Sequence, residues 1–271
     1  MNKLTLKSPA KVNLHLRIVG RRPNGYHNLV SVFHRLSLSD TLTLSKRENN
    51  FSFSSNANLP PREGNLLFKA YVELKKDFPR IGGVHARLVK RIPIGAGLGG
   101  GSSNAAFFLL GMKRLYNLKV SEVKLLQIGL RVGADVPFFL KNKPQMFVQG
   151  IGEKLKNLPC RKKKWFLLIA DPKPLSTPAV YQRYREQGRA FSKAPFHLGE
   201  LGNDLQVAAI SMRPSIAKTL KFLISAGAQS ALMSGSGPTV FAVSHSRSEM
   251  ERVRRKLPLK LRHRSILCHS A

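Results

Sequence analysis

The stretch RIPIGAGLGGGSSNAA, from Arg91 to Ala106, places five glycines between positions 95 and 101 and two serines directly after them. Each glycine loses more backbone entropy on folding than any other residue, so such density implies that something approaches this backbone closely. Small residues in series let successive N–H groups point at one anion. A following helix adds the partial positive charge of its N-terminus. Ser102 and Ser103 stand where a hydroxyl can bond a phosphate or a water on Mg²⁺. The alternative is a glycine-rich turn with an ordinary serine cap, but five glycines in seven positions exceed what a turn requires.

Several phosphate-binding loops share this composition, and context separates them. A P-loop carries G-x-x-x-x-G-K-[ST], with Lys reaching the β- and γ-phosphates. Here Gly99, Gly100 and Gly101 run into serine with no lysine in that place. A dinucleotide fingerprint is formally present at Gly95, Gly97 and Gly100. It also expects a second strand ending in an acid about 20 residues on, and the only acid in reach, Glu122, opens a helix. A protein-kinase loop would come with H-R-D and D-F-G segments, and neither occurs. What remains is a phosphate loop set between a strand and a helix.

The rest of the composition narrows the setting. Lys and Arg number 46 against 14 Asp and Glu, a formal net charge of +32, so polyanions must be attracted to this surface. The cations are spread along the chain, clustering only at RKKK (161–164) and ERVRRKLPLKLRHR (251–264), without the interleaved aromatics of an RNA-recognition segment. No specific nucleic-acid partner is expected. With five aspartates in the whole chain, any Asp inside a motif stands out; Asp135, in GADVPFFL, is one, either a loop cap after Gly133 or a reactive carboxylate. Cys160 and Cys268 allow at most one disulfide and offer no metal-ligand spacing. The N-terminus lacks the apolar core of a signal peptide and no apolar run reaches bilayer length, so a cytoplasmic protein without a membrane partner is expected.

These residues need elements to hold them. Alternating apolar positions predict strands over 3–7, 11–19, 29–38, 40–46 and 50–54, with GRRPNGYHN (20–28) as a turn. Helical spacing follows over 63–78, then a strand over 85–92, the glycine loop, and a helix over 102–118 with serine available as its cap. A second helix spans 121–133 and ends at Gly133. From about 145, strands at MFVQG and KWFLLIA alternate with helices over 178–187, 204–225 and 246–256, and MSGSGPTVFAV (233–243) reads as a loop feeding a strand. The fold class is α+β, in two halves, 1–150 and 151–271.

PIGAGLGGGSSNAA resembles motif 2 of the GHMP kinases, with one extra glycine. SPAKVNLHLRIVGRRPNGYHNLVSVF (8–33), GADVPFFL (133–140), VQGIGEKL (148–155) and GSGPTVFA (235–242) resemble, in the same order, the branch of that family that acts on a cytidine diphosphate. The resemblance covers essentially the whole chain. It implies a ribosomal-protein-S5-like N-terminal domain, a ferredoxin-like C-terminal domain, and ATP with Mg²⁺. The implied reaction is phosphorylation of the 2-hydroxyl of 4-diphosphocytidyl-2-C-methyl-D-erythritol, in the non-mevalonate route to isoprenoid precursors.

Carried over residue by residue, the resemblance makes Lys11 and Asp135 the catalytic pair. Asp135 would orient the acceptor hydroxyl and take its proton, with Lys11 keeping it ionised. Asn13, Tyr26, His27, Thr177 and Tyr181 fall on the substrate side. Tyr26 is placed to stack on cytosine and His27 to meet the base edge. Asn65 and the loop of Pro93, Ile94, Gly95, Ala96, Gly97, Leu98, Gly99, Gly100, Gly101, Ser102 and Ser103 fall on ATP, and Gly235, Ser236 and Gly237 form the supporting motif 3. Ser103 is a candidate Mg²⁺ ligand and Glu153 a weaker one. Ala96 stands where relatives carry glycine, which requires negative φ at that position.

Overall fold

The computed structural model describes residues 1–160, 162–191 and 199–271. Arg161, the first residue of the RKKK cluster, lies outside them. The chain is α+β and divides into two compact units, each assembled from three segments.

The first unit comprises Met1–Ala10, Leu38–Ile92 and Gly99–Lys143. It holds the start of β1 (Lys3–Arg21), the end of β2 (His27–Arg47), β3 (Phe51–Ser55), α1 (Leu66–Asp77), β4 (Gly83–Val89), α2 (Gly100–Leu115), α3 (Glu122–Val132) and α4 (Val136–Leu140). The strands lie in the order β3-β4-β2-β1. β2 pairs antiparallel with β4 from Thr41↔Val89 to Arg47↔Gly83, and β3 runs parallel to β4. Leu42, Leu44, Val84, Ala86 and Leu88 turn one sheet face inward beneath Leu74, Phe108, Leu109 and Phe138, all 1% exposed or less. α1 begins where Asn65 Oδ1 accepts the Leu67 amide (2.9 Å), and α3 where Ser121 Oγ accepts from Lys124 (3.2 Å) and ends at Gly133, as expected.

The second unit comprises Lys11–Ser37, Pro93–Leu98 and Pro144–Ala271. Here the first half of β2 pairs antiparallel with β5 (Gln145–Gly150), and β5 with β6 (Lys154–Asn157). A four-stranded sheet follows. β7 (Trp165–Ile169) is its second strand, and α5 (Thr177–Glu186), β8 (Gly202–Asn203), α6 (Leu205–Met212) and α7 (Ser215–Ser225) come before the remaining strands. β9 (Ala231–Met233), β10 (Val240–Ser244), α8 (Arg247–Lys256), α9 (Leu259–Arg262) and β11 (Ser265–His269) complete it in the order β11-β7-β10-β9. β8 pairs in parallel with β1 at His15↔Gly202. Leu167, Ile169, Val180, Ala208, Leu223, Val240 and Val253 form the core.

Four expectations are corrected. The strands over 3–7 and 11–19 are one element, as are those over 29–38 and 40–46. Asp40 does not break β2, because its buried carboxylate is fully bonded. The helix expected over 204–225 is two, since Pro214 has no N–H to continue the ladder and Arg213 caps α6 through Ala209 and Ile210. No serine caps α2: its N-cap is Gly99, left-handed at φ 66°, which puts Ser102 and Ser103 inside the first turn. The short elements β6, β8, α4, α9 and β11 have no counterpart among the expected ones.

Candidate active site

In the glycine loop the handedness alternates. Gly95, Gly97 and Gly99 have φ of 62°, 74° and 66°, while Ala96 and Leu98 are not among the positive-φ residues. Alternation of this kind turns consecutive amides to one side and makes an anion-binding concavity. It also meets the condition set for Ala96, whose methyl is buried. α2 then presents its N-terminus. Ser103 Oγ is fully buried and makes no hydrogen bond among the described residues, an orphaned hydroxyl that suits a phosphate oxygen or a metal ion. The backbone and this hydroxyl fit the triphosphate that the resemblance implies.

In the first unit the ends of this loop are tied by Asp40. Its Oδ1 accepts the amides of Arg91 (2.7 Å) and Ile92 (2.9 Å), just before the loop. Its Oδ2 accepts from Asn104 (2.9 Å), just after it, and from Lys90 Nζ. Asn104 also donates to Ser8 Oγ (2.7 Å). Asp40 is wholly buried, so four charge-assisted or amide bonds offset its desolvation. Asp135 in the same unit precedes α4, and its side chain makes no capping hydrogen bond there. Asn65 spends its amide on the Leu67 N–H and on the Pro60 carbonyl (2.8 Å).

The second unit gathers most of the remaining candidates. Lys11 and Asn13 alternate onto one face of β1 and are both buried. Lys11 Nζ donates to Asn13 Oδ1 (2.7 Å) and lies 4.4 Å from the Phe33 ring centroid. Asn13 Nδ2 donates to Ser31 Oγ (3.0 Å). Lys11 N donates to Leu98 O (2.9 Å), which fixes β1 against the stretch 93–98. The loop of Gly235, Ser236 and Gly237 meets the same stretch: Ser234 Oγ donates to Gly97 O (2.9 Å) and Thr239 N to Ala96 O (3.4 Å). A Cβ at Gly97 would collide with the Ser234 carbonyl and come 3.0 Å from that of Gly237. Pro93 is half-buried and Ile94 52% exposed, on the outer rim. Thr177, first residue of α5, shares a 2.7 Å hydrogen bond between its Oγ1 and Ser236 Oγ.

Tyr26 closes the β1–β2 turn and is 59% exposed, leaving its ring open to a ligand. His27 is buried instead, stacked on Tyr181 (5.0 Å, 24°) and edge-on to Tyr184 (6.3 Å, 89°). Burial, and then the charges of Arg185 and Arg21, push its pKa below the usual imidazole value, so the ring is held neutral. Its Nε2 makes no hydrogen bond among the described residues. Glu153 is engaged elsewhere: burial raises its pKa, but the bonds from Arg22 and from main-chain amides, Ile151 among them (2.6 Å), outweigh it and hold the pKa down.

Sequence reasoning missed Asp40, Asn104, Ser31 and Asn203. Asn203 donates from Nδ2 to the carbonyls of Met233 and Gly235 (both 2.8 Å) and so holds the 234–239 loop. Nothing local marks it, because its partners lie far along the chain; for Asp40, only the scarcity of aspartate was a signal.

The chain has the fold of a GHMP kinase. The model of the GHMP kinases N terminal domain matches residues 65–143, and that of the GHMP kinases C terminal domain matches 186–263. The chain is 38% identical over 268 residues to 4-diphosphocytidyl-2-C-methyl-D-erythritol kinase of Pelobacter propionicus, covering 95% of both proteins. It is 39% identical over 251 residues to the enzyme of that name from Syntrophus aciditrophicus, covering 89% of each. A crystal structure of 4-(cytidine 5'-diphospho)-2C-methyl-D-erythritol kinase superposes with a TM-score of 0.80 at 30% identity, over 99% of this chain and all of that one. The chain belongs to the 4-diphosphocytidyl-2-C-methyl-D-erythritol kinase family, and it is an ATP-dependent small-molecule kinase.

Proposed function

We propose that this chain transfers the γ-phosphoryl group of ATP to the 2-hydroxyl of 4-diphosphocytidyl-2-C-methyl-D-erythritol, giving the 2-phosphate and ADP. The observation that carries the reading is the brace between the glycine stretch 93–98, the loop 234–239 and the buried pair Lys11–Asn13, all within one compact unit. Phosphoryl transfer asks a protein mainly to position reactants and to neutralise charge. The nest from Gly95 to Gly99 and the N-terminus of α2, with Gly100, Gly101 and Ser102, would hold the phosphates. Asn65, its amide spent on capping, would shape the wall of the site. Ser103 Oγ would hold Mg²⁺, which when bound supplies charge neutralisation for phosphoryl transfer.

Asp135 would accept the proton of the 2-hydroxyl as its oxygen attacks phosphorus. Lys11 would offset the charge that develops on the transferred oxygens, held in place by Asn13 and the Phe33 face. Asn13 and Thr177 offer hydrogen bonds to the polyol side of the substrate. Tyr26 would stack on cytosine, and the neutral edge of His27, backed by Tyr181, would read the base. Cytoplasmic residence agrees with a need for ATP. No helix among the described residues is long and apolar enough to cross a membrane.

Coupled ADP release tests the reading, with this substrate set beside homoserine, mevalonate, galactose and phosphomevalonate. Turnover with the cytidine compound alone is expected; turnover only with another of the four would replace the assignment. Chelation of Mg²⁺ should abolish ADP release, and added Mg²⁺ should restore it.

A further inference from the structure

Two basic segments far apart in the chain converge on one ring. Trp165, the sole tryptophan, opens β7 and is half-buried. Lys163 Nζ lies 5.0 Å from its ring centroid and Arg247 Cζ 5.3 Å. His245 in the β10–α8 turn contacts the Lys163 carbonyl through Nδ1 (3.1 Å), which joins the two segments. From there exposed cations continue along α8. Met250, Val253 and Leu257 face the sheet, so Arg252, Arg255 and Lys256 are turned outward or sideways and remain exposed. The two acids of α8 are committed: Glu249 to Ser244 Oγ (2.5 Å) and Glu251 to Arg247 (2.9 Å). The result is a cationic strip about 15 Å long with an indole at one end.

We propose that this strip binds single-stranded nucleic acid without regard to sequence, the cations taking phosphates and Trp165 stacking on a base. Cations beside an aromatic ring are the combination that single strands use, whereas a duplex keeps its bases stacked inside and leaves an indole without a role. A base stacked on an aromatic ring gains more than an exposed cation–π contact, so a strand can displace Lys163 and Arg247 from the indole and recruit them to its phosphates. A membrane surface fits less well. A helix lying in a lipid interface turns an apolar face outward, and the apolar face of α8 is spent on the protein core. None of these residues belongs to the proposed kinase site, so the inference stands apart from that reading.

The single tryptophan supplies the assay. Titration of the full chain with a single-stranded oligonucleotide of mixed sequence should change Trp165 emission, more weakly as salt rises. Arg252→Glu with Arg255→Glu and Lys256→Glu leaves the indole intact and should weaken binding about tenfold or more at physiological salt. The slope of log affinity against log salt should become shallower by roughly 0.7 for each phosphate that no longer meets a cation. A triple reversal of equal charge elsewhere, Lys3→Glu with Arg87→Glu and Lys119→Glu, should change affinity much less, and both variants should keep kinase turnover. Equal losses in the two variants would assign binding to diffuse charge and overturn the proposal. So would binding seen only through a label on the oligonucleotide with Trp165 emission unchanged, no binding at all, or a response to anionic vesicles alone.

Discussion

Asp135 stands just before a short helix that its side chain does not cap. Asp135→Asn should lower kcat about 10²-fold or more with KM little changed, read by initial rates of ADP release. Activity near that of the wild type would remove it from its proposed role. His34 illustrates a residue kept for the fold. It is fully buried, hydrogen-bonded through Nδ1 to Gln145 and through Nε2 to Ser270 (both 2.9 Å), and burial pulls its pKa down to about 4. The unfolded chain takes up this proton near pH 6.5 and the folded protein only near 4. The contribution of neutral His34 is therefore complete above pH 6.5 and is lost as pH falls from there to about 4. That loss amounts to roughly 3 kcal/mol. His34→Gln should flatten this part of the stability profile, measured by denaturant unfolding at about pH 7 and about pH 4.5. A profile unchanged by the substitution would assign the slope to other groups.

Among the elements, the glycine loop depends on supports that differ in kind. Asp40→Asn would set an amide N–H₂ against Lys90 and Asn104, or against the Arg91 and Ile92 amides, leaving donors facing donors. Losing one charge-assisted bond of this kind costs about 1.5–3 kcal/mol, so the KM for ATP should rise about tenfold or more while that for the cytidine substrate holds. A fall in melting temperature with both KM values unchanged would make Asp40 purely structural. Gly97→Ala meets main-chain carbonyls, and no substitution elsewhere can move those aside; kcat/KM for ATP should drop about 10²-fold. A suppressor screen should find no second-site rescue. Gly95→Ala instead meets the Pro174 side chain at 2.6 Å, so changes at Pro174 should relieve part of its defect. Alternating and 3.6-residue patterns made α1 and α3 legible, and the strand character of β1 and β2 though not their continuity. They failed where one residue overrode the pattern, at Pro214 and at Gly99, and where elements were too short for any period to emerge. The loop's backbone role was legible from its composition. Its anchor Asp40 was not, nor was Asn203, which holds the 234–239 loop, because their partners are set by tertiary contacts tens of residues away.

For the whole molecule, the +32 charge is its least ordinary property. If it steers anionic substrates to the site, kcat/KM should fall steadily as ionic strength rises, since exposed charges are screened beyond about 10 Å at 0.1 M salt. A flat dependence would confine the charge to other tasks. The three-segment make-up of each unit bears on synthesis at the ribosome. The first unit needs nothing beyond Lys143, but residues 11–37 belong to the second unit, and β5, which pairs with the Leu29–His34 edge of β2, begins only at Gln145. At roughly 5–20 residues per second, that edge of β2 waits about 5–20 s for its partner to be made. Throughout that interval β1 and β2 have each other to pair with but the Leu29–His34 edge of β2 stays open, which makes translation speed between codons 38 and 144 a determinant of how much chain reaches the native state.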